Sequence, residues 1–539
     1  MKGHLWLISL LSVVALVGCS SGGGGFSDRK KAAEAGKSVF KYPIVTSPTT
    51  LDPHKVEDGD TIDLLQQIYE PMVKWDENSK PVPGTAESWE IKDGGTTWVF
   101  KIRKGMKFHN GREVTAEDFK WSFERVTNPK LASPVAATYL GDIVGLKEKL
   151  AGSAPEVTGV KVLDPLTLEI KITRPLAFFH HKLTYLVSAV LPKEGVPADS
   201  DITKPEQMIG TGPFKAGSYA VDQQFTLKAN ADYYLGAPKV ESVERPIIKD
   251  AATRLNKYKN GDVDLVMLER QDVPALQKDP EYKDHLKFFD RPAIWYLGMA
   301  PNAYEPFRNV KVRRAFAMAV NRDILVDEVL GGINKKADGI LPPAVSGHRN
   351  NAAVIPYNPT MAKQLLAEAG YPNGKGLPPL EFNFRDSRRD IQLVSEAIAQ
   401  QLRTNLGVQV NLRSMEWGAY LEKRDAGKLQ IYHMRWGADY LDPENFLTTL
   451  LTTNGPENKS GYSNPEVDKL CAEADVMPDG EARFAKYAQA EDLILQDAPW
   501  VPIYFQRDAE LIRPHVKGLT ESVFGHLPLL QVEITSEKK

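Results

Sequence analysis

The chain has little cysteine and no excess of charge. Only two of its 539 residues are cysteines, so at most one internal disulfide can form. Lysine and arginine number 67 against 70 aspartates and glutamates, and the formal net charge is −3. Such a balanced surface gives no electrostatic reason to expect a nucleic acid as partner.

Familiar signatures of catalysis and metal binding are also missing. There is no GxSxG elbow, no HExxH pair and no CxxC pair. The glycine-rich stretch "GTGPF" at 210–214 lacks a third glycine, and Pro213 has no backbone N–H to offer a phosphate. A tight turn is the better interpretation. Nothing in the sequence argues for an enzyme, a resident metal or a cofactor.

The N-terminal hydrophobic run is too short to span a bilayer. It covers 13 residues, Leu5–Val17, whereas a membrane span needs about 20. Because Lys2 precedes this run, it predicts a secretory signal peptide over residues 1–18. The following "LVGC" resembles the lipobox of bacterial lipoproteins, which implies that Cys19 carries the lipid. The alternative is ordinary cleavage nearby, with Cys19 as a spare thiol.

Residues 19–37 predict a flexible, lipid-anchored tether, because "SSGGGG" is followed by a polar stretch. We therefore expect a globular body in the periplasm or cell envelope, held at a membrane. With Cys19 used by the anchor, only Cys471 remains, so no intramolecular disulfide is expected. Cys471 lies on the apolar face of a predicted helix, which favours a buried structural thiol.

The length predicts two to four domains, and the periodicity indicates a mixed α/β fold. "TWVFKIR" (97–103) and "TLEIKIT" (167–173) alternate in the manner of half-buried antiparallel strands. Further on, "PLEFNF", a helical stretch at 390–406 and "VQVNL" predict a strand–helix–strand unit. Asn358 and Pro359 are typical of a helix start, and the apolar stripe after them ends at a glycine.

Seven separated motifs together resemble one protein family, the family 5 extracellular solute-binding proteins, and within it the oligopeptide-binding members. These proteins are the receptor subunits of peptide-import ABC transporters. The resemblance covers roughly residues 38–534, with the motifs in the family's order. They are "TLDPHKVEDG" (50–59), "VPGTAESWE" (82–90), "FHNGREVTAEDFKWSFER" (108–125), "GTGPFK" (210–215), "FRNVKVRRAFAMAVNRD" (307–323), "AKQLLAEAGY" (362–371) and "WGADYLDPENF" (436–446).

The resemblance implies a periplasmic-binding-protein-like fold of class II (cluster C), with two lobes and an extra domain. The chain would cross twice between the lobes, near residues 293 and 506, and these crossings would form the hinge. The implied parts are lobe 1 (domain I; 38–69, 206–293 and 506–534), domain II (70–205) and lobe 2 (domain III; 294–505).

Asp439 is the main candidate for ligand binding. A receptor for peptides of varied sequence relies on the backbone, the ammonium and the carboxylate, and in the family the aspartate of this "WxADY" stretch meets the ammonium. Asp439 matches it; the alternative is a carboxylate that caps a turn. Asp442 is expected to be such a local cap. Gly437 would let a ligand backbone approach the strand that ends in "MRWGA" closely.

Other candidates also come from the resemblance. Trp417 and Trp436 match two family tryptophans that line side-chain pockets, and core packing is their alternative. Arg424 matches a family arginine that reaches the carboxylate of longer ligands. The alternative is that Arg424 is a solvated cation. Tyr139, Trp295 and Tyr296 are weaker matches, and plain packing is their alternative. Glu57 is also a weaker match, and the family places it at the mouth of the site.

The sequence departs from the family pattern at His433. There the oligopeptide-binding members carry an arginine for the carboxylate of shorter ligands, and a neutral histidine cannot replace a bidentate arginine. Arg435 lies on the same side of an ideal strand and is a hypothetical substitute. Ligand length and carboxylate recognition are therefore left open by the sequence, with His433 retained as a candidate contact.

We expect a monomeric lipoprotein that captures oligopeptides by lobe closure and delivers them to an ABC permease. It would use no metal, cofactor or nucleic acid and would not be an enzyme. Alternatives within the class are dipeptide, murein-peptide, signalling-peptide, haem or nickel-chelate cargo. Outside the class, a surface hydrolase or peptidase would release cleaved product. An adhesin or chaperone-like lipoprotein would present a flat apolar surface instead of a cleft.

Overall fold

The computed structural model describes residues 38–386 and 388–535 as an alternation of short helices and β-strands. Up to residue 205 the elements are β1 (Val39–Lys41), α1 (Gly59–Leu65), β2 (Val73–Trp75), β3 (Pro81–Pro83), β4 (Ala86–Lys92), β5 (Thr97–Ile102), α2 (Ala116–Val126), α3 (Ala136–Leu140), α4 (Leu146–Leu150), β6 (Val160–Asp164), β7 (Thr167–Lys171) and α5 (Phe179–Lys182).

The middle of the chain, up to residue 299, adds β8 (Phe214–Ala220), β9 (Gln224–Ala229), β10 (Ser242–Pro246), α6 (Ala251–Lys259), β11 (Leu265–Met267), α7 (Val273–Lys278) and β12 (Leu286–Met299). The remainder comprises α8 (Val310–Ala319), β13 (Lys335–Lys336), α9 (Pro359–Glu368), β14 (Leu380–Arg385), α10 (Arg389–Leu406), β15 (Val410–Met415), α11 (Trp417–Asp425), β16 (Ile431–Gly437), α12 (Leu447–Leu451), α13 (Pro465–Asp475), α14 (Glu481–Asp497), β17 (Trp500–Ile512), β18 (Val516–Lys517), β19 (Glu521–Ser522), β20 (Gly525–His526) and β21 (Glu533–Ile534).

Three larger sheets organise these elements. One has four strands in the order β1-β10-β9-β8, and a second has the order β4-β5-β7-β6. The third has seven strands in the order β11-β17-β12-β16-β14-β15, with β13 added beside β17. Each sheet buries a hydrophobic cluster of its own. The mixed α/β architecture predicted from the sequence is confirmed.

The alternating segments of the first third form the predicted antiparallel sheet. β5 and β7 pair so that Trp98 lies opposite Ile170 and Phe100 opposite Leu168. All four side chains are buried. Side chains of a strand alternate between its faces, so this register directs every second residue of both strands into one core.

The predicted strand–helix–strand unit is also present. β14 and β15 are parallel neighbours, and α10 connects them. The apolar side of α10, with Val394, Ile398 and Leu402, is buried in the same hydrophobic cluster as these strands. α9 begins as predicted, because the Asn358 side chain accepts a hydrogen bond from the Met361 N–H and caps the helix.

β12 and β17 form the central antiparallel pair of the seven-stranded sheet, and their pairing is interrupted. The register shifts between Asp290 and Ile294, where the partners change from Arg507 to Phe505. A bulge of this kind bends a strand pair locally. The interruption lies at the level of the two crossings expected near residues 293 and 506. The domain boundaries themselves stay predictions.

Two sequence expectations concern membranes and thiols. Within residues 38–386 and 388–535 no helix is long and apolar enough to cross a membrane. Cys471 is a free thiol buried in the hydrophobic cluster around α13 and α14, as predicted. The signal peptide, the lipidated Cys19 and the tether at 19–37 lie outside the described residues.

Candidate ligand-binding site

Asp439 lies just beyond the end of β16, and a short turn folds back onto it. Its backbone N–H donates to the Asn445 Oδ1 at 3.0 Å, and the Asn445 Nδ2 donates to the Asp439 Oδ2 at 3.4 Å. Asn445 ends the 3₁₀ turn Pro443–Asn445. The side chain of Asp439 is therefore positioned by residues of its own motif.

A second donor reaches Asp439 from a distant part of the chain. Tyr139 in α3 forms a hydrogen bond to the Asp439 carboxylate, and its ring stacks on Tyr185 with 3.9 Å between centroids. Tyr139 belongs to the predicted domain II and Asp439 to the predicted lobe 2. The two segments therefore meet at this carboxylate.

The electrostatic state of Asp439 is unusual for an aspartate. It keeps some contact with water, yet burial raises the pKa of its carboxyl group, while the hydrogen bonds from Asn445 and Tyr139 oppose that rise. In the described part of the chain no lysine or arginine forms an ion pair with it, and Arg435 acts on its pKa only as a minor cause. The site thus holds a carboxylate without an internal counter-charge.

Asp442, three residues further on, is placed differently. Its two carboxylate oxygens accept hydrogen bonds from Arg483 at 2.7 and 2.8 Å, and Oδ1 also accepts from the Glu444 N–H at 3.0 Å. Both side chains of the ion pair are buried. The predicted local cap is confirmed, and a buried salt bridge that the sequence did not indicate is added to it.

A cavity of about 660 Å³ lies beside β16, between the predicted lobes and the hinge strands. Arg435 projects into it and donates from Nε to the Gln506 Oε1 at 2.7 Å. Arg388 and Arg270 also line the cavity, and both donate to Asp390. This part of the wall therefore carries three arginines around one aspartate.

His433 shares one face of β16 with Arg435 but is inside the protein. Its side chain is buried, and within the described residues neither ring nitrogen has a hydrogen-bond partner. Burial, helped by neighbouring arginines such as Arg388 and Arg270, lowers the pKa of His433 to about 3. The neutral ring contributes no positive charge. His433 is not among the residues that line the cavity, whereas Arg270, Arg388 and Arg435 are.

Gly437 also lies on this face, and the space above it is filled. A β-carbon on Gly437 would lie 2.8 Å from both terminal nitrogens of Arg435. The guanidinium, and not an open space for a ligand backbone, covers the glycine here. The expected close approach of a ligand to Gly437 therefore requires Arg435 to move.

Trp436 points to the opposite face of the strand, where it packs on the hydrophobic cluster of the C-terminal helices. Its Nε1 donates to the Asn445 Oδ1 at 3.3 Å, so Trp436 and Asp439 share one amide. Trp436 is only half-buried. It therefore borders the site through Asn445, and its role in a side-chain pocket stays a prediction.

Trp295 and Tyr296 are neighbours on β12 with different surroundings. Trp295 pairs with Arg435 in the sheet register and donates from Nε1 to the Gln506 Oε1 at 3.1 Å, so it helps to hold the partner of Arg435. Tyr296 stacks on Trp500 with 3.6 Å between centroids and is buried in the core. Tyr296 has the contacts that the packing alternative expects, and a ligand contact there stays a prediction.

Two of the sequence-predicted candidates lie away from this cluster. Trp417 begins α11, is 36% exposed and carries the Arg385 guanidinium 5.0 Å above its ring centre. Arg424 forms ion pairs with Asp425 and Glu457 at 2.8 and 2.9 Å. Because its guanidinium already has two carboxylate partners, Arg424 would have to release them to bind a ligand carboxylate.

Glu57 is exposed near the end of the first motif, on the Tyr139 side of the site. It is close enough to Tyr185 to add to the effect of burial, which raises the pKa of that hydroxyl. Its position suits the predicted mouth of the site, and a ligand contact there stays a prediction.

The sequence interpretation missed four residues of this region. Asn445 lies inside the last motif, and the sequence could have indicated it. An amide six residues after Asp439 can fold back onto that aspartate across a proline turn. Arg270, Arg388 and Gln506 carry no local signal, because they come from three other segments of the chain.

The comparisons with known proteins agree on one family. The profile of the bacterial extracellular solute-binding proteins, family 5, matches residues 80–458. The chain is 32% identical to the probable deoxycholate-binding periplasmic protein YgiS of Escherichia coli, over 96% of both chains. It is also 32% identical to the periplasmic oligopeptide-binding protein OppA of Salmonella typhimurium, with 87% of this chain and 88% of the relative covered.

A solved structure shares the whole architecture. The periplasmic oligopeptide-binding protein OppAIV of Borrelia burgdorferi superposes with a TM-score of 0.78 at 27% identity, covering 92% of this chain and 100% of that one. The similarity therefore extends over nearly the whole chain. The periplasmic-binding-protein-like fold expected from the sequence is confirmed.

Proposed function

The chain belongs to the family 5 bacterial extracellular solute-binding proteins, and from this premise we propose that it captures peptides by their free amino end and delivers them to an ABC permease. The observation that carries the proposal is Asp439, a carboxylate held by Asn445 and Tyr139 without an internal cation among the described residues. An ammonium would supply the missing charge through charge-assisted hydrogen bonds in a low-dielectric site.

Capture works by a shift between open and closed arrangements. Tyr139 and Asp439 come from opposite sides of the proposed cleft, so a ligand bound to Asp439 contacts both sides only when they are together. A ligand favours a conformation in proportion to its extra contacts there. We place the hinge at the interrupted β12–β17 pair, with domain II (70–205) and lobe 2 (294–505) as the closing parts.

The nature of the cargo follows from the same carboxylate. A cargo that is only anionic, such as a bile acid, would place a second negative charge near Asp439 without neutralising it. This reasoning favours a cargo with a free amino terminus over deoxycholate, the ligand in the name of the relative YgiS. Native mass spectrometry of gently purified protein would identify co-purifying ligands directly.

A surface hydrolase or peptidase is the alternative from another class. The family and its member OppA are binding proteins, and our proposal includes no chemistry on the peptide. Incubation of a bound peptide with the protein, followed by mass spectrometry, should return the peptide intact. Fragments that appear with the folded protein, and not with heat-denatured protein, would favour the hydrolase.

We also propose that the mature protein is a monomer anchored through a lipid on Cys19, in the periplasm or cell envelope. The support for the anchor is the short hydrophobic run followed by "LVGC". The mass of the N-terminal proteolytic peptide tests the anchor: a diacylglyceryl group on Cys19 is expected. An unmodified N-terminus at another residue would contradict it.

The central experiment is titration calorimetry on ligand-stripped protein. Asp439→Asn should weaken the binding of a tripeptide by roughly 2–5 kcal/mol, because the ammonium would be buried without a counter-charge. Asp164, at the end of β6, has an exposed carboxylate and is the matched control. Asp164→Asn should leave the affinity unchanged. An N-acetylated peptide should bind as weakly to the native protein as the free peptide binds to the variant.

An unchanged dissociation constant for Asp439→Asn would reject the assignment. Asparagine has the same shape and can still accept hydrogen bonds from Asn445 and Tyr139, so a loss of binding reports the charge and not a local collapse.

A further inference from the structure

The wall of the cavity beside β16 carries more positive than negative charge. Among the residues that line its 660 Å³ there are eight arginines and six aspartates or glutamates, a difference of two in favour of the cations. Charges in the wall of a partly enclosed cavity are screened less than charges on an open surface. A ligand that carries two negative charges at one end would balance the excess.

The first excess positive charge of the cavity wall lies beside Asp390. Asp390 accepts two hydrogen bonds from Arg388, at 3.1 and 2.7 Å, and a third from Arg270. One carboxylate is therefore shared by two guanidinium groups, and both of these arginines line the cavity. Among the residues described, Asp390 is the carboxylate at ion-pair distance from either guanidinium, so the cluster keeps one positive charge in excess.

Arg435 provides the second positive charge. Its only hydrogen bond among the described residues goes to the neutral Gln506, and no carboxylate of the described chain lies within ion-pair distance. The side chain is exposed to the cavity although protein surrounds it. Burial, together with the nearby Arg388 and Arg291, lowers the pKa of Arg435 to about 10 against the opposing effect of Asp508, which leaves it charged at neutral pH.

The neighbouring groups do not remove this excess. Arg291 is matched by Asp508 at 2.7 Å, and His433 is neutral. Gln506 donates to Asp508 from Nε2, at 2.8 Å, so this carboxylate already has two internal partners. Arg435 and the pair around Asp390 therefore each keep one guanidinium charge without a carboxylate of its own at ion-pair distance among the described residues.

We propose that this arginine cluster, Arg270, Arg388 and Arg435, selects short peptides whose C-terminal residue is acidic. Such a peptide ends in two carboxylates, the terminal one and the side chain of aspartate or glutamate. Clusters of arginine recognise acidic motifs through bidentate, charge-assisted hydrogen bonds. The inference rests on the proposed function, since the amino end of the same peptide is assigned to Asp439.

The spacing supports a short ligand. The guanidinium of Arg435 lies over Gly437, and Asp439 follows two residues later, beyond the end of β16, so the backbone positions 437 and 439 are at most about 7 Å apart. An extended peptide advances by the same distance in two residues. A ligand that reaches both Asp439 and Arg435 therefore needs only two or three residues.

The test compares peptides that differ in one charge. Ala-Ala-Glu and Ala-Ala-Gln have nearly the same shape, and calorimetry with the native protein should show the glutamate peptide binding at least tenfold more tightly. In Arg435→Gln this preference should fall below threefold. Arg435 has no carboxylate at ion-pair distance among the described residues, so its replacement does not deprive a buried carboxylate of its ion-pair partner. Arg389→Gln, another arginine of the cavity wall, is the matched control and should keep the preference.

The outcomes separate this inference from the proposed function. Equal affinities for the two peptides, both lost in Asp439→Asn, would overturn the acidic preference and keep the peptide receptor. Tighter binding of Ala-Ala-Lys would also overturn it. Competition by millimolar inorganic phosphate, with no difference between the peptides, would identify a general anion site instead. If Arg435→Gln fails to fold, Arg388→Gln with the same peptide pair decides the question.

Discussion

Asp439 and Asp442 belong to one turn, yet they show two opposite ways of placing a carboxylate inside a protein. Asp442 is neutralised by the buried Arg483, and both of its oxygens are used. Asp439 accepts hydrogen bonds from Asn445 and Tyr139, and no cation of the described chain pairs with it. The comparison teaches that burial alone does not mark a functional acid. Within this turn, the absence of an internal counter-charge is what distinguishes Asp439 from Asp442.

The two carboxylates should therefore respond differently to the loss of charge. Removing one partner of a buried ion pair leaves the other charge uncompensated, which destabilises the fold. Removing a buried charge that has no partner relieves a desolvation cost. Stability should depend on Asp442, and ligand affinity should depend on Asp439.

The largest effect is expected for Asp442→Asn. The free energy of unfolding should fall by about 3–5 kcal/mol, because Arg483 stays buried without its bidentate partner. Denaturant unfolding followed by fluorescence measures this. Asp479 is a matched control, since it is an exposed carboxylate 3.5 Å from the same arginine, and Asp479→Asn should change the stability by less than about 1 kcal/mol.

The same measurement on Asp439→Asn sharpens the comparison. Without ligand, its free energy of unfolding should stay the same or increase. Destabilisation as large as that of Asp442→Asn would show that Asp439 has a structural role, and the contrast between the two acids would be lost.

A smaller effect is expected for Tyr139→Phe. Its hydroxyl donates to the carboxylate, and a hydrogen bond to a charged group contributes about 1.5–3 kcal/mol, so peptide affinity should fall by that order. Titration calorimetry measures the change. Tyr219→Phe, in the sheet that contains β8, should bind like the native protein; an equal loss there would point to a general effect of the substitution.

The pH dependence of binding should follow Asp439. In the free protein burial raises the pKa of this carboxyl group, whereas a bound ammonium would lower it, so binding releases a proton in the window between the two values. Affinity is highest above the raised pKa and falls by up to about 1.4 kcal/mol per pH unit below it.

Calorimetry at a series of pH values from neutral downward checks this, with Asp439→Asn as the reference because it cannot titrate at this position. A pH profile identical in both proteins would contradict the assignment. In the absence of ligand the sign is reversed for stability: the neutral acid favours the fold, and this contribution is lost as pH rises through the raised pKa.

The smallest effect is expected for Gly437→Ala. The added methyl group meets the end of the flexible Arg435 side chain, which can move, so the stability should change by less than about 1 kcal/mol. Affinity for a peptide with an acidic C-terminus should fall modestly because Arg435 is displaced. A loss as large as that of Asp439→Asn would instead support direct backbone contact between the ligand and Gly437.

The sequence predicted local structure well. Alternation in β5 and β7 and the capped start of α9 depend on neighbouring residues, and the structure confirms them. The family motifs led to Asp439. The sequence interpretation of Gly437 did not foresee that the Arg435 side chain covers this glycine. Residue spacing does not predict how a long, flexible side chain lies over its own strand.

Periodicity, caps and short motifs are set by residues within a few positions of each other, so the sequence by itself determined the α/β character, the core strands and the candidate carboxylate. Which carboxylate has a partner was decided only by tertiary structure. Arg483 is 41 residues from Asp442, and Tyr139 reaches Asp439 from a distant segment of the chain. Electrostatic compensation depends on distance in space, and the fold alone brings such distant charges together or leaves one of them free for a ligand.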